Sequence, residues 1–177
     1  MQATAMDQGI GITNTTLVNT LGVLKQTISD EQVLLMKLRN CHWNVTGPNF
    51  RELHALFEEQ YQLVARRIDE IAERIRALDA PAVGTMTEYL QRTALHEHPG
   101  SFPAAKEMLS DLLGDHEIIV RSIRDSLTLP PLSDLDVGTV DHLTGLMQDH
   151  EKMAWMLRAT LSDKAAERQK RHSVLYE

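Results

Sequence analysis

Four long stretches of sequence that nearly lack glycine and proline most strongly limit how this chain can fold. They cover residues 14–44, 50–78, 103–127 and 138–161, and turn-forming residues cluster between them. A helix rises ~1.5 Å per residue, so the stretches fit helices of roughly 36 to 46 Å. They contain none of the alternating β-branched runs that are typical of strands. The pattern therefore predicts an all-α chain.

Apolar side chains support this assignment because they recur with helical spacing. In the second stretch they fall three or four residues apart, at Leu53, Leu56, Phe57, Tyr61, Val64, Ile68, Ile71, Ile75 and Leu78. This rhythm is typical of an amphipathic helix with one buried face. In the first stretch, Ser-Asp-Glu-Gln at 29–32 resembles a capping box, which could restart a helix. The apolar pattern continues in phase across it, so we predict one uninterrupted helix.

The lengths of the connections indicate the topology. The links after the first and third stretches are short, about five and ten residues, and suit antiparallel neighbours. The link at 79–102 is long enough to return along the whole bundle, and its segment 85–93 is a candidate short helix. A single long crossover is the arrangement of ferritin-like four-helix bundles. We predict such a bundle over 14–162, with a short helix between helices two and three, a flexible tail at 1–13 and a charged tail at 163–177.

Composition narrows the class of protein further. The 177 residues amount to one domain, and a net charge of −7 argues against a face that docks broadly on phosphate. Cys41 is the only cysteine, so no internal disulfide can form and a reducing compartment is expected. Residues 1–16 lack the basic and apolar regions of a signal peptide, and no stretch is apolar enough to cross a membrane. We therefore expect a cytoplasmic protein that does not associate with membranes.

Side chains of the types that bind metal ions lie just outside one edge of the apolar face of helix two. With 100° per residue and His54 at zero, Glu58 lies at about 40°, Asp69 at about 60° and Glu73 at about 100°. His54 with Glu58, and Asp69 with Glu73, are each four residues apart, a spacing that lets two side chains reach one ion. The alternative interpretation is that these are ordinary polar residues at the edge of a buried face, where they form ion pairs with arginines.

These residues cannot all serve one ion within one chain. His54 and Asp69 are 15 residues apart, which is about 22 Å along a helix. His42, at the end of helix one, is separated from His54 by the turn Val-Thr-Gly-Pro, so the two histidines can approach each other. A histidine pair and a carboxylate pair are then two half-sites. An antiparallel symmetric copy would bring each half-site against the other and make two sites at once.

The usual intrasubunit di-iron site requires Glu-x-x-His on two helices of one chain. None of the eight histidines has an acidic residue three positions before it. The sequence therefore excludes that arrangement as it is usually built.

The same residues carry a resemblance to a known family. The motifs are Leu-Arg-Asn-Cys-His-Trp-Asn-Val at 38–45, then Gly47, Phe50, Leu53-His54, Phe57-Glu58, Asp69-x-x-Ala-Glu73-Arg-Ile and Glu151-Lys-Met-Ala-Trp155-Met-Leu. The spacing His-x11-His-x14-Asp-x3-Glu is highly specific. Over residues 15–162 the chain resembles the Dps family, the mini-ferritins also called DNA-binding proteins from starved cells.

The resemblance implies a hollow dodecamer that has ferroxidase sites at its dimer interfaces. By position, His42 and His54 would come from one subunit and Asp69 and Glu73 from its partner. Glu58 stands where the family commonly has an acidic ligand, often Asp. Family members oxidise Fe(II), preferably with hydrogen peroxide, and store a ferric mineral. Iron is therefore the expected metal, and zinc is an alternative occupant.

The resemblance also raises a second function, compaction of DNA in the nucleoid. In the family this depends largely on basic terminal arms. Here residues 1–16 carry Asp7 and no base, and the C-terminal tail has a net charge of +1. That is a weak anchor for phosphate, although twelve tails would add avidity. We therefore keep DNA binding as the alternative and iron oxidation as the main prediction. A purely structural helical oligomer is the third reading.

Other candidate ligands have simpler interpretations. We expect His116 and His150 to be partly exposed helix residues, and His96 and His98 to be solvated in a loop. Cys41 is expected to be a small, at least partly buried side chain, and the methionines of the last helix, Met147, Met153 and Met156, to fill the core.

The acidic residues near the start of the last helix leave two interpretations open. Asp134, Asp136 and Asp141 either place favourable charge at a helix N-terminus or, by the resemblance, line an acidic three-fold pore for Fe(II).

Overall fold

The computed structural model describes residues 10–130 and 134–162, and every element in those residues is an α-helix. The helices are α1 (Asn14–Asn44), α2 (Phe50–Ala77), α3 (Met86–Arg92), α4 (Ala105–Thr128) and α5 (Val137–Leu161). Helix α3 is the short helix expected in the crossover, and the other four are the expected long helices. The predicted all-α fold is confirmed. Residues 1–9 of the predicted first tail, and the whole predicted tail at 163–177, lie outside the described residues.

Polar side chains at three helix starts explain where those helices begin. Thr13 caps α1 by accepting a hydrogen bond from the backbone nitrogen of Thr16. Asp136 caps α5 in the same way through Thr139. Thr85 and Glu88 form a reciprocal capping box at α3. Each cap pairs a backbone donor that has no partner within the helix.

Helix α1 runs without interruption through the capping-box sequence at 29–32, as the apolar phase predicted. The Ser29 hydroxyl donates to the carbonyl oxygen of Lys25 one turn earlier. The Asp30 carboxylate accepts from the Thr93 hydroxyl and the Ala94 backbone nitrogen at 2.9 and 2.7 Å, so it holds the end of α3. The side chains that could have restarted a helix therefore serve other contacts.

The four long helices pack as two pairs around one apolar core. Helix α1 lies along α2 and α4 lies along α5, while α1 also contacts α3 and α4, and α2 contacts α5. Each long helix buries a stripe of large apolar side chains, among them Leu24, Leu34, Phe57, Ile71, Leu112, Ile119 and Leu143. Burial of these side chains is the main favourable contribution to the fold.

The turn between α1 and α2 is tight and depends on glycine. Gly47 has a φ angle of 112°, in the region that side chains disfavour. Val45 before it is buried, which seals the turn against the core. The turn brings the last residues of α1 beside the first residues of α2.

Within the described part of the chain, none of the helices combines the length and apolarity that a membrane span requires.

Candidate metal centre

His42 and His54 stack on each other at the α1–α2 turn. Their ring centroids are 3.7 Å apart and the ring planes differ by 22°. His42 is buried and His54 is half-buried. The prediction that the turn lets these two histidines meet is borne out by this contact.

Reciprocal hydrogen bonds define the tautomer of both rings. The Nδ1–H of His42 donates to the carbonyl oxygen of His54, and the Nδ1–H of His54 donates to the carbonyl oxygen of His42, each at 2.8 Å. A carbonyl oxygen can only accept, so each Nδ1 carries a proton, and in the neutral ring each Nε2 atom keeps a lone pair. Metal-binding histidines are commonly held in this way by a backbone carbonyl. The pair is therefore prepared to bind a cation through Nε2.

Glu58 lies one turn after His54 on α2 and is half-buried. One of its carboxylate oxygens, Oε1, accepts hydrogen bonds from the Tyr61 hydroxyl and from Nε2 of Gln62, both at 3.3 Å. The carboxylate thus lies on the same end of α2 as the histidine pair.

Asp69 and Glu73 lie farther along α2 and are exposed. Neither carboxylate forms a hydrogen bond or an ion pair with any described residue. They share a helix with His54 but are too distant along it to join the histidine pair at one ion. Among the described residues, no three His, Cys, Asp or Glu side chains are grouped in a way that could hold a metal ion. One chain therefore presents separated groups of ligands and not a finished site.

Two large exposed aromatic side chains lie near the histidine pair: Trp43 follows His42 directly in the chain, and Phe50 lies beside His54. Trp43 is 65% exposed, and the exposed Phe50 ring lies 5.1 Å from the ring of His54. Exposed aromatic residues of this size commonly mark a surface that another molecule covers.

Comparisons with known proteins agree with this architecture. A model of the ferritin-like domain matches residues 21–165. A low temperature-induced protein of Nostoc sp. is 41% identical over 89% of this chain and 88% of its own length. DNA protection during starvation protein 2 of Bacillus anthracis is also 41% identical, over 79% of this chain and 94% of its own.

Solved structures agree as well. Dps from Thermosynechococcus elongatus has a TM-score of 0.76 and 34% identity, covering 84% of this chain and 94% of that one. This chain belongs to the Dps family. A Dps protein of Vibrio cholerae, described as a member of the ferritin-like diiron-carboxylate superfamily, has a TM-score of 0.80 and 31% identity, with 92% and 100% coverage.

In this Dps-family chain the sequence-based expectation for His116 and His150 was wrong. Both side chains are fully buried in the bundle, and their Nδ1 atoms are 2.8 Å apart. Nε2 of His150 lies 2.5 Å from Oε1 of Glu31, which is also fully buried. The three residues join α1, α4 and α5. Burial, and then the neighbouring His150, lower the pKa of His116 well below its usual value.

Helical phase could have revealed this buried chain. His116 is in register with Leu112, Ile119 and Ile123, and His150 with Leu143, Leu146, Met153 and Leu157, all buried. Each histidine has an acidic residue on both sides, which suggested that the histidine would be exposed to solvent. On a helix, however, residues adjacent in sequence point to other faces. The residues three and four positions away lie on the same face and therefore indicate whether a helix position is buried.

The remaining expectations concern residues away from the histidine pair. His96 and His98 are exposed, in agreement with the sequence. Cys41 is half-buried beside a cavity of about 380 Å³, and burial raises the pKa of its thiol to about 11, so it stays protonated and a poor ligand.

Two further groups were assigned from the sequence. Met153 is buried, and Met147 and Met156 are half-buried, in keeping with a role as core filler. Asp136 caps α5 and pairs with Arg74, and these hydrogen bonds lower its pKa despite some burial. Asp136 thus matches the helix-terminus interpretation. Asp134 accepts a hydrogen bond from Thr16, and Asp141 is exposed.

Proposed function

We propose that this protein oxidises Fe(II) with hydrogen peroxide at sites shared between two subunits and stores the ferric product inside a hollow dodecamer. The observation that carries the proposal is the reciprocal bonding of His42 and His54, which leaves the Nε2 lone pair of each ring available. Iron is a substrate in this scheme. The protein would act in the cytoplasm, where it would protect against oxidative damage.

Two separated half-sites in one chain favour assembly through a two-fold axis. Asp69 lies about 22 Å along α2 from His54, and Glu73 lies one turn farther; both are exposed carboxylates with no partner among the described residues. In an antiparallel dimer, the carboxylates of one subunit would face His42 and His54 of the other, and the symmetry would make two equal sites. The exposed Trp43 and Phe50 would be covered in the same contact.

The ligand chemistry suits iron oxidation. Imidazole and carboxylate ligands bind Fe(II), and no thiolate ligand is needed. Carboxylates favour the harder Fe(III) ion, so the groups that bind the ion also favour its oxidation. Glu58 would add a further carboxylate through its open oxygen. The same ligands accept Zn(II), which we expect to compete with iron.

A pair of iron ions at each site would account for a protective reaction. Two Fe(II) ions give up one electron each, the O–O bond of one peroxide breaks, and the products are two Fe(III) and two hydroxide ions. Holding both metals ~3.5 to 4 Å apart lets them act together on one substrate. The single-electron reduction that releases hydroxyl radical is thereby avoided.

An anaerobic Fe(II) titration followed by peroxide tests the proposal. We expect particles of about 240 kDa, twelve chains of 20.0 kDa, that consume about two Fe(II) per peroxide. The His54→Ala, Glu73→Ala double variant should lose this activity, whereas Glu59→Gln, on an exposed residue of the same helix, should keep it. Unchanged oxidation by a correctly assembled double variant would refute the proposal.

A further inference from the structure

Tyr61 contacts candidate ligands that come from both helices of the histidine turn. Its hydroxyl donates a hydrogen bond to Oε1 of Glu58 on α2 at 3.3 Å. Its ring meets the ring of His42 on α1 in an edge-to-face contact, with centroids 5.2 Å apart and planes at 77°. One half-buried side chain therefore links an imidazole and a carboxylate of the proposed iron site.

The bonding of Glu58 divides its two oxygens between different tasks. Both donors, the Tyr61 hydroxyl and Nε2 of Gln62, end on Oε1. Oε2 has no hydrogen bond to any described residue. A glutamate has one more rotatable bond than an aspartate, so it loses more conformational freedom when it is held in one place. The hydrogen bonds to Oε1 already restrict the side chain before a metal binds, so less conformational entropy is lost on binding. They also leave Oε2 available as the ligand.

Tyr61 is itself held from the side of α1. The guanidinium carbon of Arg39 lies 5.5 Å from the centre of the Tyr61 ring, within the range of a cation–π contact. Arg39 and His42 lie three residues apart on α1, so both reach the same ring from one face of that helix. The ring is therefore braced by two residues while its hydroxyl faces Glu58.

We propose that Tyr61 is a positioning residue of the iron site: it holds Glu58 by one oxygen so that the other can bind metal, and it supports the ring of His42. The proposal rests on the proposed function, because it assigns Glu58 and His42 to metal binding. Partners of this kind behind metal ligands typically change metal affinity by about 10- to 100-fold when they are removed.

The test measures metal binding by the assembled protein without any oxidant. Zn(II) is titrated calorimetrically, and the visible spectrum of bound Co(II) reports on its ligands. In Tyr61→Phe we expect about 10-fold weaker binding and an altered Co(II) spectrum, with unchanged particle mass. Tyr89→Phe is the matched control, because its hydroxyl bonds to the carbonyl oxygen of Val83, away from the site.

A double-mutant comparison separates positioning from a general loss of stability. If Tyr61 acts through Glu58, then Tyr61→Phe should have much less effect in a Glu58→Gln background than in the wild type. Equal binding by Tyr61→Phe and wild type, or the same loss in both backgrounds, would overturn the assignment of Tyr61. Wild-type protein that binds neither Zn(II) nor Co(II) would instead overturn the proposed function itself.

Discussion

His116 and His150 meet nitrogen to nitrogen in the interior of the bundle, with Nδ1 atoms 2.8 Å apart and no solvent contact. Glu31 continues the chain at 2.5 Å from the other nitrogen of His150. One assignment with a neutral His116 satisfies the two contacts: the Nδ1–H of one histidine donates to Nδ1 of the other, and the Nε2–H of His150 donates to the carboxylate. A further proton on His116 would place a positive charge in the core next to His150, which is costly.

This arrangement predicts that acid weakens the fold through His116. Its pKa is lowered in the folded protein, so below about pH 6.5 the unfolded chain binds a proton that the folded chain does not. Stability should therefore fall by up to ~1.4 kcal/mol per pH unit, from about pH 6.5 down to the pKa of the folded state. Thermal unfolding of wild type and His116→Gln between pH 7.5 and 5.5 measures the difference.

Titrating groups outside the chain of His116, His150 and Glu31 are common to both proteins and cancel in that difference. His98→Gln, at an exposed loop residue, is the control and should retain the wild-type pH dependence. An identical loss of melting temperature in wild type and His116→Gln would show that His116 does not carry the acid sensitivity.

Asp30 gives a second prediction, about the crossover. Its buried carboxylate accepts from Thr93 and Ala94 and so attaches the end of α3 to α1. Asp30→Ala should destabilise the protein by about 1 to 3 kcal/mol, because Thr93, Ala94 and Gln26 each lose a hydrogen-bond acceptor. Urea unfolding measures the change, and Asp111→Ala at an exposed position provides the comparison. A loss no larger than that of Asp111→Ala would contradict the role of Asp30 as an anchor.

Helix positions were predictable because they depend on local periodicity and turn residues. Helix α1 matches its predicted bounds, and α4 begins at Ala105, two residues after the proline expected to open it. The proximity of His42 and His54 was also predictable, since a short turn leaves little freedom. The contacts of Asp30 with Thr93 and Ala94, and of the Tyr61 ring with His42, were not, because they join segments that are distant along the chain and no spacing in the sequence reveals them.

The charge of the termini predicts that DNA binding is absent or weak. Residues 1–16 carry no basic residue, and the tail at 163–177, which lies outside the described residues, has four basic and three acidic side chains. We expect no shift of linear duplex DNA in low salt at pH 8 or at pH 6. A shift that disappears when residues 163–177 are deleted would show that the tail binds DNA and would revive nucleoid compaction as the main function.

Subunit mixing provides the sharpest test of a shared site. One variant carries His42→Ala and His54→Ala, and the other Asp69→Asn and Glu73→Gln, so neither forms a complete site alone. In a mixed dimer the intact histidines of one chain meet the intact carboxylates of the other, and one of the two sites is restored. Random pairing makes half of the dimers mixed, so we expect about a quarter of the wild-type rate of Fe(II) oxidation.

The controls follow from the same arithmetic. Each variant taken alone through dissociation and reassembly should stay inactive, and wild type should recover its full rate. Native mass spectrometry verifies that mixed assemblies have formed. If they have formed and no activity returns, the ligands do not meet across a subunit interface. Were all of the ligands drawn from one chain, every mixed assembly would contain only damaged sites, so recovery of activity distinguishes the two arrangements directly.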